Sequence, residues 1–247
     1  MQLTAQVGAA APASAILYEA VQFALAVAEV TGGAFDPTVG HRMAARGFNR
    51  EHRTGAIART PCTPDDVVSY RDVHLDPDRR TITLRRPLTL DLGAVAKGLA
   101  VDMAARELDP FRDFAIDAGG DLYLGGSNEQ GAPWSVGIRH PRNEHELIAS
   151  LHISNQAVCT SGDYERRTAG GTQHHILDPR TGASARTVAS ATVVASGAML
   201  ADALATAAFV LGPEEGIALL NRMGLEGMIV TPELERFETR GVPWRLA

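Results

Sequence analysis

Asp202 and Thr206 stand four residues apart in the run Ala198-Met-Leu-Ala-Asp-Ala-Leu-Ala-Thr-Ala-Ala-Phe-Val-Leu211. The run is rich in Ala and Leu and holds neither Pro nor Gly, so it predicts a helix. A spacing of four puts the carboxylate and the hydroxyl on one helix face, one turn apart. Apolar residues flank both. A buried carboxylate without a partner is costly or takes up a proton. Two hard oxygen donors on one face suit Mg²⁺ or Ca²⁺. The same residues also read as a helix cap or as a carboxylate paired with an Arg.

Five other segments carry residues able to do chemistry. Asp91-Leu-Gly-Ala-Val-Ala-Lys97-Gly98 reads as a strand end, a Gly turn and a helix start. Gly93 allows a ligand close to the backbone, and a helix start offers N–H groups to an anion. Lys97 is placed to reach a phosphate, and Asp91 to take a ribose hydroxyl or an adenine amino group. The pattern is neither a P-loop nor a dinucleotide-binding fingerprint, and a plain turn with a surface Lys fits it too. Ile116-Asp-Ala-Gly-Gly-Asp121 is a Gly-Gly corner flanked by two acids, fitting close ligand contact or a tight hairpin. Thr160-Ser-Gly-Asp-Tyr164 offers hydroxyls and N–H groups to phosphate oxygens, or forms a simple turn. In His174-His-Ile-Leu-Asp-Pro-Arg-Thr-Gly182, read as a strand ending in an Asp-Pro turn, adjacent His side chains face opposite ways. One of them is a candidate general base; a hydrogen-bonded turn is the plainer reading. Gly32-Gly-Ala-Phe-Asp-Pro-Thr-Val-Gly40 is a rigid loop in which Phe35 could pack on an aromatic ligand; it also reads as a helix C-cap and turn.

The elements that must position these residues are mixed. Ser14 to Val30 predicts a helix ending at Gly32-Gly33. Asp72 to Leu92 predicts a hairpin, Val73–Leu75 and Thr81–Leu84 about a turn at 76–80, followed by a strand over Leu88–Leu92. Ala94 to Glu107 turns helical. Short strands follow at 114–116, 121–124, 134–138, 148–153, 156–160, 174–177 and 190–194. Helices are expected at 198–211 and 213–223, and a last strand at 227–230. Gly47 to Asp66 reads as an exposed loop. Without a strict alternation of strand and helix, the fold class is α+β, mostly antiparallel, in a single domain over residues 1–247.

Bulk properties narrow the classes. The 247 residues are 45% hydrophobic and 21% charged, enough for a sizeable core. A net charge of −6 argues against a nucleic-acid binder. Cys62 and Cys159 form no metal-ligand cluster and read as free thiols, Cys159 in a strand and Cys62 in a loop, with a single disulfide between them as the alternative. No stretch approaches the length of a membrane span. Met1 to Ala15 lacks a basic start and an apolar run, so it does not read as a signal peptide; the chain as it stands is expected to be cytoplasmic.

Taken in order, the segments at 32–40, 91–98, 117–121, 160–164 and 174–182, with Ala-Asp-Ala-Leu-Ala-Thr at 201–206, resemble the ApbE family, the FAD:protein FMN transferases. The resemblance runs over about residues 14 to 230. It implies an enzyme that binds FAD and Mg²⁺, cleaves the FAD pyrophosphate, transfers FMN to a threonine hydroxyl of a target protein as a phosphoester, and releases AMP. Targets in the family are flavoprotein subunits of electron-transfer complexes. Carried onto this chain, the metal ligands are the Ala94 carbonyl, Asp202 and Thr206. FAD contacts fall on Ala34, Phe35, Asp36, Asp91, Lys97, Ser161, His175 and Ile176. His175 is the expected base for the acceptor hydroxyl, with Asp202 as its rival.

The chain departs from the family pattern at its start. About 30 residues precede the Gly-Gly-Ala-Phe loop, and family members usually carry more there. That extra part covers the flavin side of the site and often bears an export signal or a lipid-anchored Cys. A periplasmic, membrane-anchored address is therefore expected if such a signal has been lost. Two further readings use the same residues: an FAD pyrophosphatase yielding FMN and AMP, and a non-catalytic flavin-binding or trafficking protein.

Overall fold

The computed structural model describes residues 7–49, 57, 62, 67–165, 174–241 and 244–246. The chain divides into two compact units, residues 1–92 with 168–183 and residues 93–167 with 184–247.

In the first unit, helix α1 (Ala15–Val30) begins where Ser14 Oγ accepts the Leu17 N–H at 3.2 Å, a side-chain N-cap. It stops at Thr31, after which Gly32 and Gly33 take positive φ of 60° and 84°. Strands β1 (Ala10–Pro12), β2 (Val73–Asp76) and β3 (Thr81–Leu84) form an antiparallel sheet in the order β1-β3-β2. Tyr18 and Val21 of α1 pack with Val73, Ile82, Leu84 and Leu88. Burying each such side chain contributes about 1.5–3 kcal/mol relative to exposure. A short helix, α2 (Gly40–Ala45), follows the Gly-Gly-Ala-Phe loop. Its Gly40 N–H donates to the Thr89 carbonyl at 3.1 Å, and Val39 and Thr89 form a parallel bridge.

The second unit is layered. Its six-stranded antiparallel sheet has the order β11-β10-β9-β8-β5-β4. The strands are β4 (Phe114–Asp117), β5 (Leu122–Gly125), β8 (Gln156–Gly162), β9 (Ser190–Ala195), β10 (Glu226–Val230) and β11 (Arg236–Glu238). On one face lie α3 (Gly93–Leu108) against β4 and β5, α4 (Ala198–Leu211) against β8 and β9, and α5 (Pro213–Arg222) against β10. A smaller antiparallel sheet joins β6 (Trp134–His140), β7 (Asn143–Ile153) and β12 (Arg245–Leu246). Its Val136, Ile138, Leu151 and Ile153 pack on Leu124, Val158, Val194 and Met228 of the large sheet. Every residue of β9 is buried, as a central strand covered on both faces requires. Side chains alternate along β8: Val158 joins the packing with the small sheet, whereas Cys159 donates to the Ala198 carbonyl of α4 at 3.6 Å.

The α+β, antiparallel expectation matches this architecture, and all strand ladders among the described residues are antiparallel. Two expected strands are absent. Over Leu88–Leu92 only Thr89 bridges, because the neighbouring groups pair with loop backbone: the Asp91 N–H donates to Pro37 O at 2.7 Å. In the segment 174–177, His174 and Leu177 make isolated bridges and no ladder forms. Beyond Leu177 the chain turns, the Asp178 carbonyl accepting from the Gly182 N–H at 2.8 Å, and Pro179 offers no N–H to a ladder. β1, α2, β11 and β12 were not expected from sequence. The expected loop at 47–66 falls largely outside the described residues.

Candidate functional site

Helix α4 is buried almost all round; ten of its residues lie in the core, as an apolar surface on every side demands. Asp202 sits in that interior at 6% exposure, while Thr206 is half-buried. The Gly98 N–H of α3 donates to the Asp202 carboxylate. Asp202 Oδ2 is buried with no hydrogen-bond partner among the described residues. Burial pushes the Asp202 pKa up to about 7, the charge of Asp121 adds to the rise, and Lys97 opposes it.

Lys97 and Asp121 form an ion pair beside Asp202. Asp121 is 1% exposed and follows the Gly119-Gly120 turn, where φ values of 72° and 96° suit glycine. Burial alone would lower the Lys97 pKa, but the bond to Asp121 and the charge of Asp202 hold it above its ordinary value. The sequence motifs set Lys97 against a phosphate and present Asp121 only as an acid of the Gly-Gly corner. The signal for Asp121 was its type: a buried carboxylate after a tight turn needs a cation.

Ser161 at the end of β8 meets Thr206, Oγ to Oγ1, at 3.0 Å. One position earlier, Thr160 Oγ1 lies 2.9 Å from Thr192 Oγ1. Arg142 holds the next turn by a two-pronged pair with Asp163, at 2.6 and 2.8 Å. Cys159, between these groups and α4, has its thiol pKa raised, first by burial and then by the nearby carboxylates; it is inert at neutral pH.

Ala94 departs from helical geometry, with φ −92° and ψ 17°. In a regular helix the Gly98 N–H points toward the Ala94 carbonyl; here that N–H also favours the charged form of Asp202. No group of three His, Cys, Asp or Glu occurs among the described residues. The expected donor set needs none, since it combines one carboxylate, one hydroxyl and one backbone carbonyl. The buried Asp202 oxygen without a partner, beside a hydroxyl one turn on, fits a hard divalent cation.

The remaining expected residues lie in the first unit. Ala34 and Phe35 are buried, at 1% and 5% exposure. The Asp36 carboxylate accepts from Thr38 N–H at 2.8 Å, Thr38 Oγ1 at 2.7 Å and Tyr70 N–H at 3.0 Å. Burial raises its pKa and these bonds oppose the rise. Asp36 therefore organises its own loop. Asp91 is half-buried. His175 is half-buried, with its ring edge-on to Phe48 at 6.3 Å between centroids; Ile176 is buried. Arg42 donates to Pro179 O at 2.7 Å and Arg46 to Gly182 O, so α2 holds the Asp-Pro-Arg-Thr-Gly turn.

Comparison with known proteins adds to these observations. The model of the ApbE family matches residues 1–229. An FAD:protein FMN transferase of Treponema pallidum is 34% identical over 249 residues, covering 88% of this chain and 66% of that protein. One from Vibrio cholerae is 32% identical over 210 residues, covering 81% and 62%. The chain thus spans just under two thirds of the length of these relatives. Crystal structures agree: the ApbE protein of Thermotoga maritima superimposes with a TM-score of 0.85 at 32% identity, over 96% of this chain and 80% of that one. The flavin transferase ApbE from Vibrio cholerae gives 0.79 at 27%, over 94% and 77%. With the ordered motifs, the matching fold and this coverage in agreement, the chain belongs to the ApbE family.

Proposed function

We propose that the chain transfers FMN from FAD to a threonine hydroxyl of a target flavoprotein, a subunit of an electron-transfer complex, in a Mg²⁺-dependent reaction that releases AMP. The observation that carries this reading is the buried Asp202 carboxylate, with one oxygen unpartnered and the Thr206 hydroxyl one turn further along α4. The Ala94 carbonyl completes the proposed donor set. When bound, Mg²⁺ supplies positive charge to the FAD pyrophosphate.

The chain's own residues have distinct proposed tasks. Ala34, Phe35, Asp36, Asp91, Lys97, Ser161, His175 and Ile176 are the proposed FAD contacts. Lys97 adds charge where the leaving phosphate develops its own. The acceptor oxygen bonds to the FMN phosphorus, the bond from that phosphorus to the AMP oxygen breaks, and the hydroxyl proton passes to a base. His175 takes that proton, with Asp202 as the alternative acceptor.

The test uses the full chain with FAD, Mg²⁺ and a target domain bearing the acceptor Thr. Flavin fluorescence on the denatured target, with one AMP per flavin attached, is the expected result. AMP and free FMN without labelled target would identify a pyrophosphatase. Bound FAD with neither product would identify a carrier.

A further inference from the structure

Two helices present matching rows of residues at a spacing of four. On α3 the row is Ala94, Gly98, Asp102; on α4 it is Ala198, Asp202, Thr206. The rows run in opposite directions. At one end, the Ala198 N–H donates to Asp102 Oδ1 at 2.6 Å and the Met199 N–H to Oδ2 at 3.0 Å. At the next step, the Gly98 N–H donates to Asp202. Continued by one turn on each helix, the next residues are Ala94 and Thr206. A Cβ on Gly98 would stand 2.5 Å from the Ala198 carbonyl oxygen and from the Met199 Cα. Only a hydrogen fits there, so the helices touch backbone to backbone.

We propose that Asp102 is a positioning residue for the metal donors: it fixes the register of α4 against α3 and so the placement of Asp202 and Thr206 relative to the Ala94 carbonyl. The inference rests on reading those three as metal donors. Its physical basis is the geometry of the clamp. The first N–H groups of α4 have no partner within the helix, and no side chain of the capping residue Gly197 serves them. A carboxylate from the neighbouring helix takes two of them, in charge-assisted bonds at the positive helix end. A sliding or rotation of α4 would break both bonds at once. Asn in place of Asp102 keeps the size but offers a single acceptor oxygen, and turns an NH₂ donor toward the second N–H.

The test reads metal binding apart from activity. Mn²⁺ is titrated into the full chain, first alone and then with FAD, and the free ion is followed by electron paramagnetic resonance. Thermal midpoints are recorded in EDTA. Asp102→Asn is expected to weaken Mn²⁺ binding by about tenfold or more, as loss of groups that orient metal ligands commonly does. Asp102→Glu, which keeps the charge and both oxygens, recovers part of the affinity. Thr239→Val serves as the stability control; it removes bonds to Gly227 and Glu226 and touches neither α3 nor α4 in this network. It is expected to lower the midpoint and leave Mn²⁺ affinity within about twofold. Equal affinity in wild type and Asp102→Asn overturns the inference, as do equal losses in Asp102→Asn and Thr239→Val. If Asp102→Asn does not fold, Asp102→Glu is judged against the same control. A wild-type chain that binds no Mn²⁺ overturns the metal reading itself, a result distinct from a wild type that binds while Asp102→Asn binds equally well.

Discussion

The Lys97 ammonium is held by the Asp121 carboxylate, and the two partners differ in their access to water: 41% of the lysine side chain is exposed, against 2% for the aspartate. The pair is therefore lopsided. Water can solvate Lys97 if its partner goes, whereas Asp121 has no such recourse. Lys97→Met should cost about 1–3 kcal/mol at pH 8, less than the 3–5 kcal/mol typical of a fully buried broken pair. The cost should be smaller at pH 5, where Asp202 carries a proton and needs no cation. Urea denaturation at the two pH values checks this; equal losses at both would show that Lys97 does not offset the Asp202 charge.

Asp202 makes a separate prediction for the metal-free chain. Its folded pKa of about 7 lies above the ordinary 3.8, so the folded state holds the proton more tightly than the unfolded one. The associated stability is fully present below about pH 3.8 and is lost as pH rises to about 7, a change on the order of a few kcal/mol. In EDTA, the thermal midpoint of wild type minus that of Asp202→Asn should fall across this window. On the proposed donor set, Mg²⁺ must displace the proton, so its affinity should rise with pH up to about 7 and level off above. A difference in midpoint that stays flat from pH 4 to 8 contradicts the assignment.

Ser161 touches Thr206 through a single hydroxyl contact at 3.0 Å, and both groups are half-buried. Ser161→Ala should cost no more than about 1 kcal/mol of stability. FMN transfer should fall several-fold, because the Thr206 hydroxyl loses the partner that orients it. On the proposed donor set, Thr206→Val, which removes the oxygen itself, should lose the metal-dependent transfer. Calorimetry together with the flavin-transfer assay separates the two effects. Full activity in Thr206→Val would remove that residue from the donor set.

If His175 takes the acceptor proton, His175→Ala should slow transfer by about 10²–10⁴-fold, while FAD binding changes far less. A variant with the full rate across pH 6–8 passes the role to Asp202 or to solvent.

Much of this was legible in the sequence, for reasons that differ from residue to residue. α1, α3 and α4 were visible because their apolar residues follow helical spacing between clear stops, Ser14 and Gly32-Gly33 among them. The Asp202/Thr206 pair stood out because polar residues inside an alanine-rich run need a reason. Asp102 was not visible in the same way. It looks like an exposed helical acid until α4 is seen to begin beside it. Its signal lay in the row Ala94-Gly98-Asp102, which matters only once Ala198-Asp202-Thr206 is known to face it. The bond from Gly98 to Asp202, the contact of Ser161 with Thr206 and the pairing of Lys97 with Asp121 join residues up to 104 positions apart, and local patterning carries no distance information of that range. The strand expected at 174–177 failed because apolar residues before an Asp-Pro turn look alike in a ladder and in a loop.

The short helix α2 has a consequence of its own. Six residues are too few to sustain a helix in water, where about 12–15 are needed for even marginal order. Its order is borrowed from partners far along the chain: Thr89 at its start, Pro179 and Gly182 through Arg42 and Arg46. Gly40 tolerates no side chain, since an added Cβ would lie 2.5 Å from the Thr89 carbonyl oxygen. Three stretches remote in sequence thus form one cooperative unit, each incomplete without the others. Their amide protons should exchange with solvent in one concerted opening, slower than six isolated helical residues could manage and faster than the core around Val21 and Ile82.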